Sequence, residues 1–360
     1  MKYYSLNKIN SKKATYNVIF GERSNGKTYA CLQQALENYF NNGSQFAYIR
    51  RWAVDIAPKR MNNLFNSFVE NRTIERLSGG QFTNIYFRTG TFYLCKYDKN
   101  GKAIYNDQDV IGYAFGLAEN EHNKANSYPK VTNIIFDEFL TNQLYLNNEF
   151  VLFMNTISTI VRLRTNVKIY MLGNTVNKYC PYFKEMGLTN ILSMKQGTID
   201  VYSYGDSKLK VAVEYASSNK ILKKNNFYFA FNNPKLQMIT GGKWELNIYP
   251  HAPFKWKQSE INFIYFIIFN GSIYQCEVIT SHDTIFTFIH EKTTPIRNPK
   301  RDIIYSLEYN SGLNYSRNIL KPNFELGKKI AWFFLHDSVY YQDNDVGDAI
   351  NNYLKICKRS

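Results

Sequence analysis

One octapeptide, residues 21–28, constrains this sequence most strongly: it reads GERSNGKT. It matches the phosphate-binding pattern G-x-x-x-x-G-K-[ST] at every fixed position. The apolar segment 16–20 precedes it, and residues 29–36 follow with apolar side chains at helical spacing. A strand, a glycine-rich turn and a helix form the context in which this motif is credible. We therefore predict an α/β domain with a nucleotide site near its N-terminus.

The residue types of this loop suit phosphate chemistry. Glycines at positions 21 and 26 let the backbone wrap closely, so that successive N–H groups point at phosphate oxygens. Lys27 is expected to reach the β- and γ-phosphates, and the Thr28 hydroxyl to bind Mg²⁺. The alternative is a chance match in a glycine-rich turn. The predicted nucleotide-binding residues of the loop are Gly21, Glu22, Arg23, Ser24, Asn25, Gly26, Lys27 and Thr28.

A second informative stretch, residues 131–139, is an apolar run that ends in two acids. It predicts a buried strand whose carboxyl end carries Asp137 and Glu138 beside the phosphate loop. Asp137 is expected to hold Mg²⁺, and Glu138 to polarise the attacking water as general base. The alternative is an ordinary strand that ends in an acidic turn. Together with the loop, the acid pair predicts hydrolysis of ATP with Mg²⁺ as cofactor.

Three further positions are candidates for the same site. Arg50 and Arg51 end an apolar strand at 45–51, where ligands bind in open α/β sheets. Either arginine could therefore face phosphate, and Arg50 is the predicted nucleotide-binding residue. A structural ion pair is the alternative for both arginines. Asn174 ends another apolar strand, 167–174, at a place where a polar residue senses γ-phosphate in ring ATPases; a plain strand-end turn is the alternative.

Composition narrows the class of protein and its partners. The chain has 360 residues and a formal net charge of +15, which favours a polyanion partner, nucleic acid ahead of anionic membrane. Solubility in a lysine-rich proteome is the alternative. The sequence has no run of eighteen apolar residues, so we expect no membrane span. Its first residues lack the apolar core of a signal peptide. The five cysteines lie singly, which predicts reduced cytosolic thiols and neither a disulfide framework nor a zinc site.

The pattern changes along the chain. Residues 80–118 are typical of a β-rich insertion, and residues 119–127 of a polar, mobile loop. A strong hairpin signal surrounds Asn270 and Gly271 in the last third of the chain. The predicted domains are an ATPase domain at 1–205, a linker or lid subdomain at 206–250, and an α+β domain at 251–360.

Five segments in this order and spacing resemble the DNA-packaging ATPases of small tailed phages, the phi-29-like encapsidation motors. They read GERSNGKTYA, FAYIRRW, SYPKVTNIIFDEF, RLR and MLGNTVNKYCPYF, and the resemblance is specific through residues 16–185. It implies an ASCE-type P-loop ATPase domain with a mostly parallel sheet flanked by helices. It also implies a small linker subdomain and a C-terminal domain that resembles a vestigial RNase H-like nuclease.

The resemblance further implies a partner set and a location. Such motors are homo-oligomeric rings, expected here to be pentamers, that dock on the portal or connector of a prohead. Prohead RNA is a possible further partner, and double-stranded DNA is the cargo. The motor is expected in the host cytoplasm, transiently docked on the prohead, with no membrane partner.

The resemblance also assigns roles by position. Lys27 and Thr28 match the Walker A pair, and Asp137 and Glu138 match the Walker B pair. Arg162 matches a trans-acting arginine finger, with Arg164 as the nearby alternative and a helix-end cation as the structural one. The basic residue often found a few positions past the arginine pair is absent, since positions 52–54 are apolar. Arg50 and Arg51 are the candidates to replace it.

Two questions stay open at the level of sequence. A two-metal nuclease needs several carboxylates on adjacent strands, whereas strand 263–269 has none and Glu277 is alone on its partner. We therefore expect an inactive nuclease fold that binds DNA, portal or prohead RNA. The alternatives for the whole chain are an ATPase motor for virion export, secretion or single-stranded DNA, and a nucleotide-gated scaffold. A lysine-containing loop at 124–130 is one candidate for gripping DNA, and it could equally be a surface loop.

Overall fold

Buried apolar strands alternate with helices through the first two thirds of the chain, and this arrangement builds a single large sheet. The computed structural model describes residues 4–118, 127–141, 145–146, 148–175, 180–217, 249–252 and 255–358. The chain divides into two compact units, Met1–Glu245 and Leu246–Ser360. Each unit has its own β-sheet.

The described residues of the first unit form ten strands. They are β1 (Tyr16–Gly21), β2 (Gln45–Arg50), β3 (Asn84–Arg88), β4 (Thr91–Tyr97), β5 (Ala103–Ile104), β6 (Val110–Gly116), β7 (Val131–Asp137), β8 (Lys168–Asn174), β9 (Ile199–Tyr204) and β10 (Leu209–Tyr215). Their order is β3-β4-β6-β2-β7-β8-β1-β10-β9, with β5 paired to β4. The six central strands are β6, β2, β7, β8, β1 and β10, and each is parallel to its neighbours among them. The outer strands β3, β4 and β9 pair antiparallel.

Helices cover both faces of this sheet. They are α1 (Asn7–Asn10), α2 (Lys27–Asn42), α3 (Pro58–Asn63), α4 (Asn66–Glu70), α5 (Thr73–Leu77), α6 (Glu149–Val161) and α7 (Pro181–Glu185). One apolar core includes Phe136, Phe153 and Tyr182 on the α6 side, and the other includes Leu32, Phe65 and Tyr170 on the α2 side. Because both faces are covered, successive residues of the central strands are mostly buried, without the alternation of a strand that has one exposed face. The predicted α/β class is confirmed.

The predicted boundary at residue 205 is wrong for the sheet. Strand β10 lies beyond that boundary, yet it pairs in parallel with β1 from Tyr16–Val211 to Phe20–Tyr215. The predicted β-rich insertion at 80–118 likewise joins the main sheet, through β6 beside β2. Sequence periodicity identifies a strand but does not reveal its partner, which explains both differences. The predicted linker at 206–250 lies outside the described residues from 218 to 248. The predicted loop at 119–127 lies outside them from 119 to 126.

In the second unit, the part of the chain that the structure describes contains a six-stranded mixed sheet. Its elements are β11 (Ile261–Phe269), β12 (Ser272–Ser281), β13 (Thr284–Lys292), β14 (Ile304–Ser306), β15 (Tyr315–Ser316), α8 (Glu325–Leu335), β16 (Val339–Tyr341) and α9 (Asn344–Cys357). The strand order is β15-β14-β11-β12-β13-β16. Strands β11, β12 and β13 are consecutive and antiparallel, and β14 lies parallel to β11. The predicted hairpin at Asn270 and Gly271 is confirmed as the β11–β12 turn.

Helix α9 packs on one face of the second sheet. Its buried side includes Val346, Ile350 and Tyr353, and the ring of Tyr353 lies 6.0 Å from that of Phe269. Asp343 caps the helix, because its carboxylate accepts the N–H of Val346 at 2.8 Å. Among the helices that the structure describes, none is both long and apolar enough to cross a bilayer.

Candidate nucleotide site

The candidate site lies at the carboxyl edge of the first sheet, where three central strands end together. Cross-strand register places Gly21 beside Asn174 and Asp137 beside Leu172. A cavity of about 230 Å³ opens there, lined by Ser24, Asn25, Gly26, Lys27, Thr28, Tyr29, Asp137, Glu138, Leu172, Gly173 and Asn174. The structure thus brings together residues from three segments of the chain, as the sequence predicts.

The loop backbone has the conformations that its glycines permit. Gly26 precedes α2 with a φ of +91°, and Ser24 also has a positive φ of +59°. Gly21 lies against Ala216, since a Cβ added there would stand 3.1 Å from the Ala216 carbonyl oxygen. Of the eight predicted loop residues, those from Ser24 to Thr28 line the cavity, and Gly21, Glu22 and Arg23 do not.

Lys27 is buried in the first turn of α2 and points into the loop. Its Nζ donates to the Glu22 carbonyl at 2.7 Å, to Asn25 Oδ1 at 3.2 Å and to Asn174 Oδ1 at 3.4 Å. Burial lowers the pKa of Lys27 to about 8, against the opposing effect of Asp137 and Glu22. The ammonium therefore lies within reach of Asn174, which the sequence analysis predicts for the same site.

Thr28 and Asp137 point at one another across the cavity. The Thr28 hydroxyl donates to both carboxylate oxygens of Asp137, at 3.2 Å each. Tyr48, from the middle of β2, is buried and donates its hydroxyl to Asp137 Oδ2 at 2.8 Å. Burial and the Asp137 charge raise the pKa of Tyr48, so its hydroxyl stays protonated as a donor. Sequence reasoning missed Tyr48, because its position within a continuous apolar strand gives no polar signal.

Glu138 follows β7 in a left-handed backbone conformation, with a φ of +58°. Its side chain is 57% exposed, and its Oε2 accepts a hydrogen bond from Arg50 Nη2 at 2.6 Å. Arg50 also lies 3.6 Å from Asp55. Arg50 thus makes the ion pair that was the alternative in the sequence analysis, and it is absent from the residues lining the cavity. Its contact with phosphate stays a prediction.

Arg51 is buried behind the same turn and contacts main-chain oxygens of Glu138 and Phe139 as well as the carboxylate of Glu149. Sequence reasoning did not single out Glu149. Its only signal is an acid in the first turn of a helix, which is a common stabilising feature of helix N-termini.

Arg162 lies away from the cavity of its own chain. Helix α6 starts after β7 and ends before β8, so it carries Arg162 from the site edge of the sheet back to the opposite edge. Its thirteen residues span about 20 Å. Arg162 is exposed and has a φ of +51°. Arg164 instead donates to the carbonyls of Tyr128, Pro129, Val131 and Ile160, which is a structural role.

In the second unit, Glu277 on β12 pairs with His290 on β13 at 3.4 Å and accepts from Gln275 at 2.9 Å. The His290 contact lowers the pKa of Glu277, and Glu277 in turn raises the pKa of His290. The described part of the chain holds no group of three or more histidine, cysteine, aspartate or glutamate side chains placed to bind a metal.

A sheet with parallel central strands, and with a glycine-rich loop, a buried lysine and a Thr–Asp pair at its carboxyl edge, defines an α/β protein in which this loop is the candidate phosphate-binding element. Within that class, a family profile described as "Podovirus DNA encapsidation protein (Gp16)" matches residues 1–219. The chain belongs to this family, which confirms the resemblance seen in the sequence.

Individual relatives agree with the family. The chain is 31% identical over 175 residues to a DNA packaging protein of Bacillus phage B103, a match that covers 48% of each chain. It is 28% identical over 184 residues to a DNA packaging protein of Bacillus phage phi29, covering 50% of this chain and 49% of the relative. The chain thus spans about half the length of the curated relatives that it matches.

Two solved structures share the fold over 99% of this chain and 98% of their own. One is titled the bacteriophage Phi-29 viral genome packaging motor assembly, with 20% identity and a TM-score of 0.59. The other is titled the Phi-28 gp11 DNA packaging motor, with 17% identity and a TM-score of 0.56. At these identities the likeness concerns the fold alone.

Proposed function

We propose that the protein is an ATP-driven motor that translocates double-stranded viral DNA through the portal into a phage prohead. The observation that carries the proposal is the Thr28–Asp137 contact beside Glu138, in a chain of the encapsidation family. A phosphate loop alone binds nucleotide. Hydrolysis also needs metal-binding oxygens, here those of Thr28 and Asp137, and an adjacent residue that activates water, here Glu138.

The residues at this edge fit Mg²⁺·ATP. The oxygens of Thr28 and Asp137 meet at 3.2 Å, and hydroxyl and carboxylate oxygens are ligands that Mg²⁺ prefers. Bound Mg²⁺ would neutralise charge on the β- and γ-phosphates. Lys27 would exchange its contacts with Glu22, Asn25 and Asn174 for phosphate oxygens.

Glu138 is the proposed general base, and Asn174 the proposed γ-phosphate sensor. In this structure Arg50 donates to one oxygen of the Glu138 carboxylate. To activate water, Glu138 would use its other oxygen or Arg50 would move away. Strand β8 separates the loop strand β1 from the acidic strand β7. This inserted strand supports the proposal that the domain is of the ASCE class.

The proposed assembly is a homo-oligomeric ring, by the resemblance a pentamer. In this ring a neighbouring subunit would supply the arginine that completes each site. Arg162 is exposed on the edge of the sheet opposite its own cavity, so it would act in the site of a neighbouring subunit. A guanidinium that reaches γ-phosphate only from a correctly placed neighbour makes hydrolysis depend on the arrangement of the ring.

The second unit is proposed to be a vestigial RNase H-like domain that binds DNA, portal or prohead RNA. Three consecutive antiparallel strands, with a parallel strand beside the first, support the fold. The engagement of Glu277 with His290 supports the loss of nuclease chemistry. The portal, the prohead and transient docking in the host cytoplasm are proposed from the resemblance in the sequence. The family description and the titles of the structural relatives support DNA encapsidation by a packaging motor.

The test is ATP turnover by the assembled protein with and without duplex DNA. We expect DNA to stimulate turnover, and Glu138→Gln to abolish it while ATP binding is kept. Because phosphate contacts release counterions, the stimulation should fall steeply with salt. Turnover that is indifferent to DNA in a proven assembly would argue against the motor. Stronger stimulation by single strands would favour the alternative ATPase for export or single-stranded DNA.

A further inference from the structure

A buried guanidinium supports the turn that carries Glu138. Arg51 is 5% exposed and donates three hydrogen bonds in different directions. Its Nε binds Glu149 Oε2 at 2.7 Å, its Nη1 binds the Glu138 carbonyl at 3.1 Å, and its Nη2 binds the Phe139 carbonyl at 2.7 Å. One planar group thus holds two successive carbonyls of the turn.

The partner of Arg51 is itself held from several sides. Glu149 is 2% exposed, and its carboxylate also accepts the Tyr182 hydroxyl at 2.9 Å and the Leu146 N–H at 2.7 Å. The ring of Tyr145 lies 4.9 Å from the Arg51 guanidinium carbon. A buried pair with this many satisfied hydrogen bonds is restricted to one geometry.

The turn needs such support. Glu138 has a φ of +58°, a left-handed conformation that a residue with a Cβ adopts only where surrounding contacts impose it. We infer that Arg51, fixed by Glu149, is a positioning residue that imposes this conformation and so aims Glu138 at the cavity. The inference deepens the proposed function, because it rests on Glu138 as the general base.

Arg51 and Arg50 act on different parts of the same residue. Arg50 contacts the Glu138 side chain, whereas Arg51 contacts the main chain. Lysine in place of Arg51 would keep the charge opposite Glu149 but lose the planar fork that holds both carbonyls. Arg51→Lys therefore separates positioning from simple charge balance.

The experiment compares Arg51→Lys with Tyr182→Phe in the full chain. Tyr182→Phe removes a hydrogen bond from the same Glu149 carboxylate and leaves the contacts of Arg51 with the turn intact. Because misplacement of a reacting group by about 1 Å costs about 100-fold, we expect Arg51→Lys to lower kcat about 100-fold. Binding of an ATP analogue should be unchanged in both variants. Tyr182→Phe removes one of several contacts of Glu149, so it should lower kcat far less than Arg51→Lys. Equal kcat losses in the two variants, or a parallel loss of analogue binding, would overturn the inference.

A structure of Arg51→Lys gives a readout that does not depend on turnover. The φ of Glu138 should leave the left-handed region while the Thr28–Asp137 contact persists. An unchanged turn would refute the positioning role. An inactive wild-type protein would count against the proposed function alone, since the geometry of the variant still decides the role of Arg51.

Discussion

At the scale of single residues, the site depends on polar groups that are buried before any ligand arrives. Lys27 is 6% exposed and Asp137 9% exposed, and both are held by hydrogen bonds to neighbours in the loop or the sheet. Burial of charged groups is unfavourable unless partners compensate, and it shifts protonation equilibria. The fold therefore sets the orientation of both groups and lowers the pKa of Lys27, and both effects can be tested.

Phosphate affinity should weaken as pH rises through about 8. Burial lowers the pKa of Lys27 from 10.5 to about 8, so the ammonium is lost above that pH in the folded chain and kept in the unfolded one. Between pH 8 and 10.5 the folded state binds fewer protons at Lys27 than the unfolded state, so the contribution of Lys27 to the free energy of unfolding rises with pH. The same loss of the proton removes the positive charge that would bind phosphate. The dissociation constant of an ATP analogue should rise up to about tenfold per pH unit above 8.

The control for this prediction is adenosine, which lacks phosphates and should bind with no such pH dependence. Analogue affinity that stays constant from pH 7 to 9.5 would contradict the protonation change at Lys27.

Tyr48 should tune the Mg²⁺ requirement. Its buried hydroxyl donates to Asp137, so Tyr48→Phe frees the orientation of that carboxylate. Loss of such an outer contact typically costs about 10-fold or more in metal affinity, so half-saturation by Mg²⁺ should rise about tenfold. The matched control is Tyr170→Phe, on β8 of the same sheet, whose hydroxyl donates to Asn10. A similar Mg²⁺ shift in both variants would contradict a specific role for Tyr48.

At the scale of elements, β8 packs closely against residues 138–140, the turn that follows β7, and this packing brings the site together. Gly173 has no room for a side chain, since an added Cβ would stand 2.8 Å from Leu140 Cδ1 and 2.9 Å from Phe139 Cε1. Phe139 and Leu140 are both core residues, 0% and 4% exposed. The glycine is thus required by a close approach between elements and not by a turn.

Gly173→Ala should destabilise the first unit by about 1–3 kcal/mol, the usual cost of overpacking a core. Denaturant unfolding at equilibrium measures this change in free energy. A double variant with Leu140→Ala tests the cause, because removal of the clashing side chain should make the pair less destabilising than the sum of the two changes. Simple additivity would show that Leu140 is not the obstacle.

At the scale of the whole molecule, positive charge is unevenly distributed. Lysine and arginine exceed the acids mainly in the first 248 residues, whereas the second unit is close to balance. The electrostatic attraction to a polyanion that the sequence suggests therefore belongs chiefly to the first unit. Nucleic-acid binding by the second unit would depend on particular contacts more than on net charge.

Mixing of subunits should show whether Arg162 acts in trans. Arg162→Ala and Glu138→Gln should each reduce turnover by at least about 1000-fold. An equimolar mixture should regain activity at about a quarter of its interfaces, where an intact Glu138 meets an intact Arg162 from the neighbour. Near-normal turnover by Arg162→Ala alone, or a mixture no more active than either variant, would contradict the trans role.

The sequence by itself determined the local chemistry. The glycine-rich octapeptide, the acids after an apolar strand and the asparagine after another each mark a strand end, and parallel strands bring their carboxyl ends to one edge. Lys27, Thr28, Asp137, Glu138 and Asn174 could therefore be predicted to converge before any coordinates. A short stretch of sequence is enough to recognise each of these strand ends, because the motif and the apolar strand before it are adjacent in the chain.

Only the tertiary structure decided which strands pair and which side chains contact one another. It placed β10 beside β1 across nearly two hundred residues, and it buried Tyr48 against Asp137. It also separated Arg50, on the Glu138 side chain, from Arg51, on the main chain of the same turn. Adjacent arginines are indistinguishable in sequence, because their roles are set by which faces of distant elements pack around them.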